Sequence, residues 1–287
     1  MIRFLVIIFS LFLLLVVLGG GSSLFVLWRF GRDLPDYKQL ADYRPAVMTR
    51  VHAGNGSLIG EFARERRLFV PTTAIPRLVI DAFLSAEDKT FYSHPGIDFA
   101  GIATALLRNV WNVMDGGKRR PVGASTITQQ VAKNFLLTNE ISIARKFKEA
   151  ILAFRIENAF SKDRILELYL NEIYLGIGSY GVAAAALNYF DKSLDELTLE
   201  ETAYLAALPK APNNYHPIRN RMAANERRNW VLKQMVDNSV ISPLDAKRAS
   251  ARVLLIRRPD PTRIFEAGYF AEEVRRELLE KYGENRL

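Results

Sequence analysis

The sequence predicts a mainly α-helical domain, led by a small N-terminal β-hairpin and an N-terminal transmembrane helix. Three observations carry this reading. From Pro76 onward, apolar residues recur at helical spacing. Ahead of them, Gly54-Asn55-Gly56-Ser57 is turn chemistry, flanked by Val51-His52-Ala53 and Leu58-Ile59-Gly60-Glu61-Phe62. Earlier still, Phe4 to Phe30 is an apolar stretch interrupted by Gly19-Gly20-Gly21-Ser22-Ser23.

Phe4 to Leu27 is long enough to cross a bilayer, which takes about 20 apolar residues. A cleaved signal peptide has an apolar core of only about 7–15 residues. Here the apolar character resumes at Leu24-Phe25-Val26-Leu27-Trp28, so an uncleaved single-pass anchor is expected. Arg3 on one side and Arg29, Arg32 and Asp33 on the other give too weak a charge bias to set orientation. An export-type N-terminus nevertheless places the rest of the chain outside the cytoplasm. A polar, proline-containing connector, Arg32 to Arg50, leads to the hairpin, read over Val51 to Val70. Helices are expected at Leu78–Ser85, Phe99–Met114, Thr126–Leu137, Ser142–Phe160, Asp163–Tyr174, Val182–Tyr189, Thr198–Leu208, Met222–Asn238 and Ala267–Tyr282. Gly176 to Gly181 reads as a loop. The organisation is an anchor over 1–30, a connector and hairpin over 31–75, the main domain over 76–245 and a linker-like tail over 246–287.

Of the 287 residues 49% are hydrophobic, enough for a substantial core. The absence of cysteine excludes disulfides, thiolate-held clusters and thiol catalysis. His52, His94 and His216 lie far apart, which argues against a multi-histidine metal site. A net charge of +8 suits an anionic lipid or a phosphorylated substrate. There is no zinc-finger spacing and no basic run dense enough to track DNA, so no nucleic-acid partner is expected.

Several constellations could carry chemistry. Glu87-Asp88 lies among Phe83, Leu84, Phe91 and Tyr92. Desolvation there would raise a carboxyl toward the working pH, where it can move a proton; the plainer reading is a solvated helix end. From Gly123 to Asn134 runs a dense set of hydroxyl, amide and ammonium groups. Ser125 can cap the helix that follows, and that helix start offers N–H groups to an anion. Thr126, Gln130, Lys133 and Asn134 share roughly one helical face, while Ile127, Val131 and Phe135 share another, as in a helix lining a cleft. Arg145 and Lys146 are four and three residues before Glu149, so all three can converge. The plain alternative, a surface ion pair, is opposed by Leu152 and Ile156 on the Glu149 side. Lys162 to Asn171 reads mainly as scaffold, and Glu201 with Lys210-Ala211-Pro212 is ambiguous. Phe99–Met114 is amphipathic and reads either as core packing or as a membrane-surface helix.

These residues resemble the peptidoglycan glycosyltransferase domain of class A penicillin-binding proteins and of the monofunctional cell-wall polymerases. The pattern E-D-x-x-F-x-x-H-x-G is met by Glu87, Asp88, Phe91, His94 and Gly96. G-G-S-T-I-T-Q-Q-x-x-K-N is met from Gly123 to Asn134, with Ala124 at the second glycine. R-K-x-x-E is met by Arg145, Lys146 and Glu149, K-x-x-I-L-x-x-Y-L-N with following glycines by Lys162 to Gly181, and a fifth helix by Glu201 to Pro212. The resemblance implies a lysozyme-like helical fold with a membrane-associated lobe. It implies lipid II and the nascent glycan strand as substrates, the bilayer as a partner and other cell-wall synthesis proteins as further candidates. By similarity Glu87 is the general base and Glu149 the second carboxylate. Lys133, Arg145 and Lys146 would hold a diphosphate. Asp88, Phe91, Ser125, Thr126, Gln129, Gln130 and Asn134 would complete the substrate site. No cofactor is required, and a divalent cation, Mg or Mn, would fit the diphosphate chemistry. The implied location is the cytoplasmic membrane, with the catalytic domain on the periplasmic side. Many relatives continue into a transpeptidase with S-x-x-K and K-T-G motifs; neither occurs in these 287 residues, and a longer bifunctional protein is expected. Two other functions are compatible with such a fold: glycan cleavage, and a non-catalytic membrane-anchored scaffold.

Overall fold

The structure is a computed structural model that describes residues 66–116, 123–138, 140 and 142–257, with scattered positions over 4–62 and 273–281. Among the described residues no helix is long and apolar enough to cross a membrane. The anchor expected over Phe4–Leu27 and the last helix expected over Ala267–Tyr282 fall largely outside the described residues.

Strand β1 (Thr49–His52) pairs antiparallel with β2 (Leu58–Phe62), Thr49 opposite Phe62. A two-residue β3 (Arg66–Arg67) runs parallel to β4 (Ser179–Tyr180), so the loop expected over Gly176 to Gly181 contains a short strand. The rest is helical: α1 (Arg77–Glu87), α2 (Phe99–Met114), α3 (Ile127–Leu136), α4 (Ile143–Ala159), α5 (Lys162–Glu172), α6 (Val182–Phe190), α7 (Leu199–Ala207), α8 (Arg221–Asp237) and α9 (Pro243–Ala251).

The helix boundaries follow from their caps. Ser142, Ser161 and Ser242 each accept an N–H from the first turn of α4, α5 and α9, and Asp98 does so for α2. Such a cap contributes about 1 kcal/mol. Helix α9 straddles the boundary expected at 245/246 between the main domain and the linker-like tail. Its signals, Ser242 as cap and Pro243 in the first turn, are local and accompany only weak amphipathicity.

Helices α5 and α7 carry much of the core. Leu166, Leu170, Tyr204, Leu205 and Ala206 are all fully buried. Burying such a leucine contributes about 1.5–3 kcal/mol. Helix α1 packs on this centre through Val79, Ala82 and Phe83, with the Phe83 ring edge-on to Tyr169 at 6.4 Å. Asn171 ties the chain before α1 to α5: its Oδ1 accepts the Val70 N–H and its Nδ2 donates to the Val70 carbonyl, both at 2.8 Å.

Helix α2 stands apart. Ala105 is its one buried hydrophobic residue. Phe99, Leu106, Leu107, Val110, Trp111, Val113 and Met114 are all more than half exposed. The core-packing reading of this helix is therefore overturned: its apolar residues face outward.

Candidate active site

Glu87 is the last residue of α1, and the turn that follows fixes its surroundings. The next residue, Asp88, is buried and fully engaged. Both its oxygens lie 3.0 Å from His94 Nε2, and Oδ2 also accepts the Ile127 N–H at 2.9 Å. Ile127 opens α3, so Asp88 latches the end of α1 to the start of α3. His94 Nδ1 accepts the Gly96 N–H at 3.1 Å, which puts the ring proton on Nε2, toward Asp88. The Gly96 carbonyl in turn accepts from Thr126 Oγ1 at 2.6 Å. Gly96 sits at φ 90°, and a Cβ there would meet Glu157 Cγ at 2.8 Å, so glycine is required. The first two sequence motifs are thus one folded unit.

Thr126 and Gln129 form a capping box at α3: Thr126 Oγ1 accepts the Gln129 N–H at 3.2 Å and Gln129 Oε1 accepts the Thr126 N–H at 3.0 Å. The helix start was expected to offer free N–H groups to an anion. Those of Ile127 and Gln129 are instead taken by Asp88 and Thr126. The next residue along, Gln130, turns outward and donates from Nε2 to Glu87 Oε2 at 2.9 Å.

Burial pushes the Glu87 carboxyl above the usual carboxylate range. The Gln130 hydrogen bond, then Arg227 and Lys210, act in the opposite direction. Burial also raises Asp88, against the pull of the Ile127 N–H and His94. The Tyr169 hydroxyl is fully buried and without a hydrogen-bond partner, and desolvation lifts its pKa well above the ordinary value.

Glu149 projects from α4 and is 1% exposed. Arg145 Nε lies 3.1 Å from its Oε1, close in distance but not aligned as a hydrogen bond. Lys146 contacts its Oε2 and also donates to Ser125 Oγ at 3.1 Å. Lys146 thereby bridges α4 to the lip before α3. At that lip Ala124 does not have positive φ, so the missing second glycine introduces no backbone strain.

Two adjoining pockets, of about 460 and 520 Å³, share Glu87, Arg108, Gly123 and Ser125 and make one groove. The smaller is lined by Asp88, Thr90, Asp98 and the Gly101, Thr104 and Ala105 side of α2. The larger is lined by Gln129, Gln130, Lys133, Lys146, Glu149, Lys210, Arg227 and Trp230. Glu87 sits where the two meet. Arg145 reaches the groove through Glu149.

Two expected contacts, Phe91 and Asn134, are corrected by this geometry. Phe91 is fully buried beneath Lys162, whose Nζ lies 4.5 Å from the ring centre, so its ring packs the core. Thr126 lines the smaller pocket, but it is 2% exposed and its hydroxyl is committed to Gly96 and Gln129. Asn134 is exposed and lines neither pocket. Asp88 touches the smaller pocket, but its oxygens serve His94 and Ile127. Sequence reasoning missed Arg108, Arg227 and Trp230. Of the neighbours Arg227 and Arg228, the second is 2% exposed and closes the α9 end by donating to the Ser250 and Arg252 carbonyls at 2.8 Å. Nothing in the sequence says which of the two faces the groove. Among the described residues no group of three His, Cys, Asp or Glu side chains is placed to hold a metal ion.

A family model described as transglycosylase matches residues 55–236, a stretch that holds all five motifs. The chain belongs to the transglycosylase family. This transglycosylase is similar to penicillin-binding protein 1A of Rickettsia felis, 47% identical over 270 residues, which covers 94% of this chain and 34% of that protein. It is similar to penicillin-binding protein 1A of Neisseria flavescens at 45% identity over 252 residues, 88% of this chain and 31% of that one. A solved structure of penicillin-binding protein 1A from Haemophilus influenzae aligns with a TM-score of 0.48 and 30% identity, over 85% of this chain and 26% of that one. The chain spans about a third of the length of these curated relatives. The resemblance to the glycosyltransferase domain of class A penicillin-binding proteins holds.

Proposed function

We propose that this transglycosylase polymerises lipid II into β-1,4-linked peptidoglycan glycan strands by inverting glycosyl transfer, with release of polyprenyl diphosphate. The observation that carries the reading is the groove itself: one desolvated carboxylate, Glu87, beside a pocket lined by Lys133, Lys146, Lys210 and Arg227. Cleaving a finished glycan leaves a sugar hydroxyl and needs a proton donor at the leaving oxygen. Displacing a diphosphate needs positive charge instead, because that leaving group is already a weak base.

In the proposed step Glu87 takes the proton from the acceptor's 4-hydroxyl. The oxygen attacks the anomeric carbon at the lipid-linked end of the growing strand, the bond to the diphosphate oxygen breaks, and the diphosphate leaves with the electron pair. Gln130 orients Glu87. Lys133 and Lys146 receive the diphosphate charge, with Arg145 behind them. Glu149 acts by holding Arg145 and Lys146 in place; its burial and double ion pairing support this role over proton transfer. These side chains supply positive charge to the diphosphate, and a divalent cation, Mg or Mn, bound with it would add to that charge. Ser125 and Gln129 line the groove, and the smaller pocket takes the sugar on the other side of Glu87.

The outward apolar face of α2 supports seating at a bilayer surface, from which a lipid-tailed substrate enters sideways. The expected N-terminal anchor and the family resemblance support a domain on the periplasmic side of the cytoplasmic membrane, where other cell-wall synthesis proteins would meet it. The test is to incubate the detergent-solubilised chain separately with lipid II and with finished glycan. Polymer from the first and no fragments from the second is the expected result; fragments without polymer would make the protein a lytic enzyme.

A further inference from the structure

Helix α2 has two faces of different chemistry. Gly101, Thr104, Ala105 and Arg108 fall on one side of it by steps of three and four. All four line the smaller pocket. On the opposite side Leu106, Leu107, Val110 and Met114 are more than half exposed. Arg108 lines the larger pocket as well. The two pockets have only Glu87, Arg108, Gly123 and Ser125 in common, so these residues form the waist of the groove. Among the described residues Arg108 is the one cation at that waist. Lys89 lines the smaller pocket alone, and Lys133, Lys146, Lys210 and Arg227 line the larger alone. Lys146 is already held by Glu149 and Ser125. Arg108 is exposed, and among the described residues it makes no ion pair or hydrogen bond.

We propose that Arg108 is a further catalytic cation: at the waist of the groove it meets the diphosphate of the lipid-linked donor, on the oxygen whose bond to the anomeric carbon breaks. This rests on the reading of the groove as a lipid II polymerase site. The position follows from the order of the parts. With the sugar in the smaller pocket and the diphosphate in the larger, the breaking bond lies between them, beside Glu87. As that carbon–oxygen bond breaks, its electron pair goes to the diphosphate oxygen and the acceptor's proton goes to Glu87. Arg108 keeps its own protons and donates N–H hydrogen bonds to the growing negative charge. A guanidinium suits this task, because its planar fork of donors matches a phosphate and stays charged at any working pH. A cation gains most where charge develops in the transition state. An uncommitted side chain also has no partner to give up before it binds. The same helix joins this role to the bilayer: its apolar side seats in the membrane surface, and Arg108 on the other side stands near the lipid phosphates.

The test compares Arg108→Met and Arg108→Lys with wild type in the detergent-solubilised full chain. Two quantities are read: kcat/KM for polymerisation of lipid II, and Kd for farnesyl diphosphate, a soluble prenyl diphosphate. Arg108→Met is expected to lower kcat/KM by about 10²-fold, with most of the loss in kcat. It should weaken binding of farnesyl diphosphate about tenfold. The acidic limb of the pH–rate profile should stay in place, since Glu87 still takes the proton. Arg108→Lys, a point charge without the fork, should recover part of both losses. Co-sedimentation of Arg108→Met with phosphatidylglycerol vesicles should match wild type. Loss of vesicle binding with an unchanged kcat/KM in detergent would assign Arg108 to bulk lipid phosphates and overturn the proposal. A folded Arg108→Met chain with wild-type kcat/KM and wild-type affinity for farnesyl diphosphate would overturn it too. A wild-type chain that binds farnesyl diphosphate through Arg108 but forms no polymer from lipid II keeps the diphosphate site and sinks the polymerase reading instead.

Discussion

Glu87 and Glu149 are both shielded carboxylates, yet their neighbours give them different work. Glu87 receives one neutral hydrogen bond and is held above its ordinary pKa by burial. Glu149 is locked between two cations. Glu87→Gln should therefore lower the polymerisation rate by at least ~10²-fold, the usual range for loss of a general base. It should also raise stability at neutral pH. Glu87 binds its proton more tightly when folded, so its ionisation opposes folding. That cost is absent below the unfolded pKa and grows as pH rises through the folded one. Thermal melts of the two proteins should converge in acid and separate toward neutrality, with the variant more stable. In the proposed mechanism Glu149 holds Arg145 and Lys146, so Glu149→Gln should slow the reaction as well but leave the acidic limb of the pH–rate profile in place. A displaced limb in Glu149→Gln would assign it a proton-transfer role.

At the scale of elements, the caps and the amphipathic faces decide the outcome. Thr126→Ala removes the α3 cap and the hydroxyl that closes on the Gly96 carbonyl. It should cost about 1–2 kcal/mol of stability, read from the shift in urea midpoint. Helix α2 matches its expected span, Phe99–Met114, because sustained spacing and the Asp98 cap are both local signals. What its apolar residues face was not legible, since a core helix and a surface helix can share one pattern. The structure shows them outward, and this gives a prediction. Leu107→Glu with Trp111→Glu should reduce co-sedimentation with anionic vesicles and slow turnover of long-chain lipid II in vesicles. It should leave turnover of a short-tailed soluble analogue nearly unchanged. Equal loss on both substrates would mean that the face serves the fold and not the membrane. Site legibility followed the same division. Glu87, Lys133, Lys146 and Glu149 stood out because polar groups cluster around them in sequence. Phe91 and Thr126 belonged to the same motifs but serve packing and capping, and a motif does not distinguish support from contact. Arg227 and Trp230 were hidden because α8 joins the groove only through tertiary packing.

For the whole molecule, the arrangement separates a buried helical centre from an open groove and an outward apolar helix face. Helices α5 and α7 supply the dry interior; α1, α3, α4 and α8 hold the groove on it; α2 turns its apolar side away. A net charge of +8 agrees with a diphosphate substrate on an anionic membrane surface. In the proposed reaction one shielded carboxylate removes the sugar proton while side-chain cations accept the departing diphosphate. The most direct measurement is the rate of glycan polymer formation from lipid II by the solubilised chain, wild type against Glu87→Gln, followed across pH. The expected result is a wild-type rate that falls on the acidic side as Glu87 takes up its proton, and a Glu87→Gln chain that is folded and nearly inactive throughout. A folded Glu87→Gln chain that polymerises lipid II at the wild-type rate would contradict it.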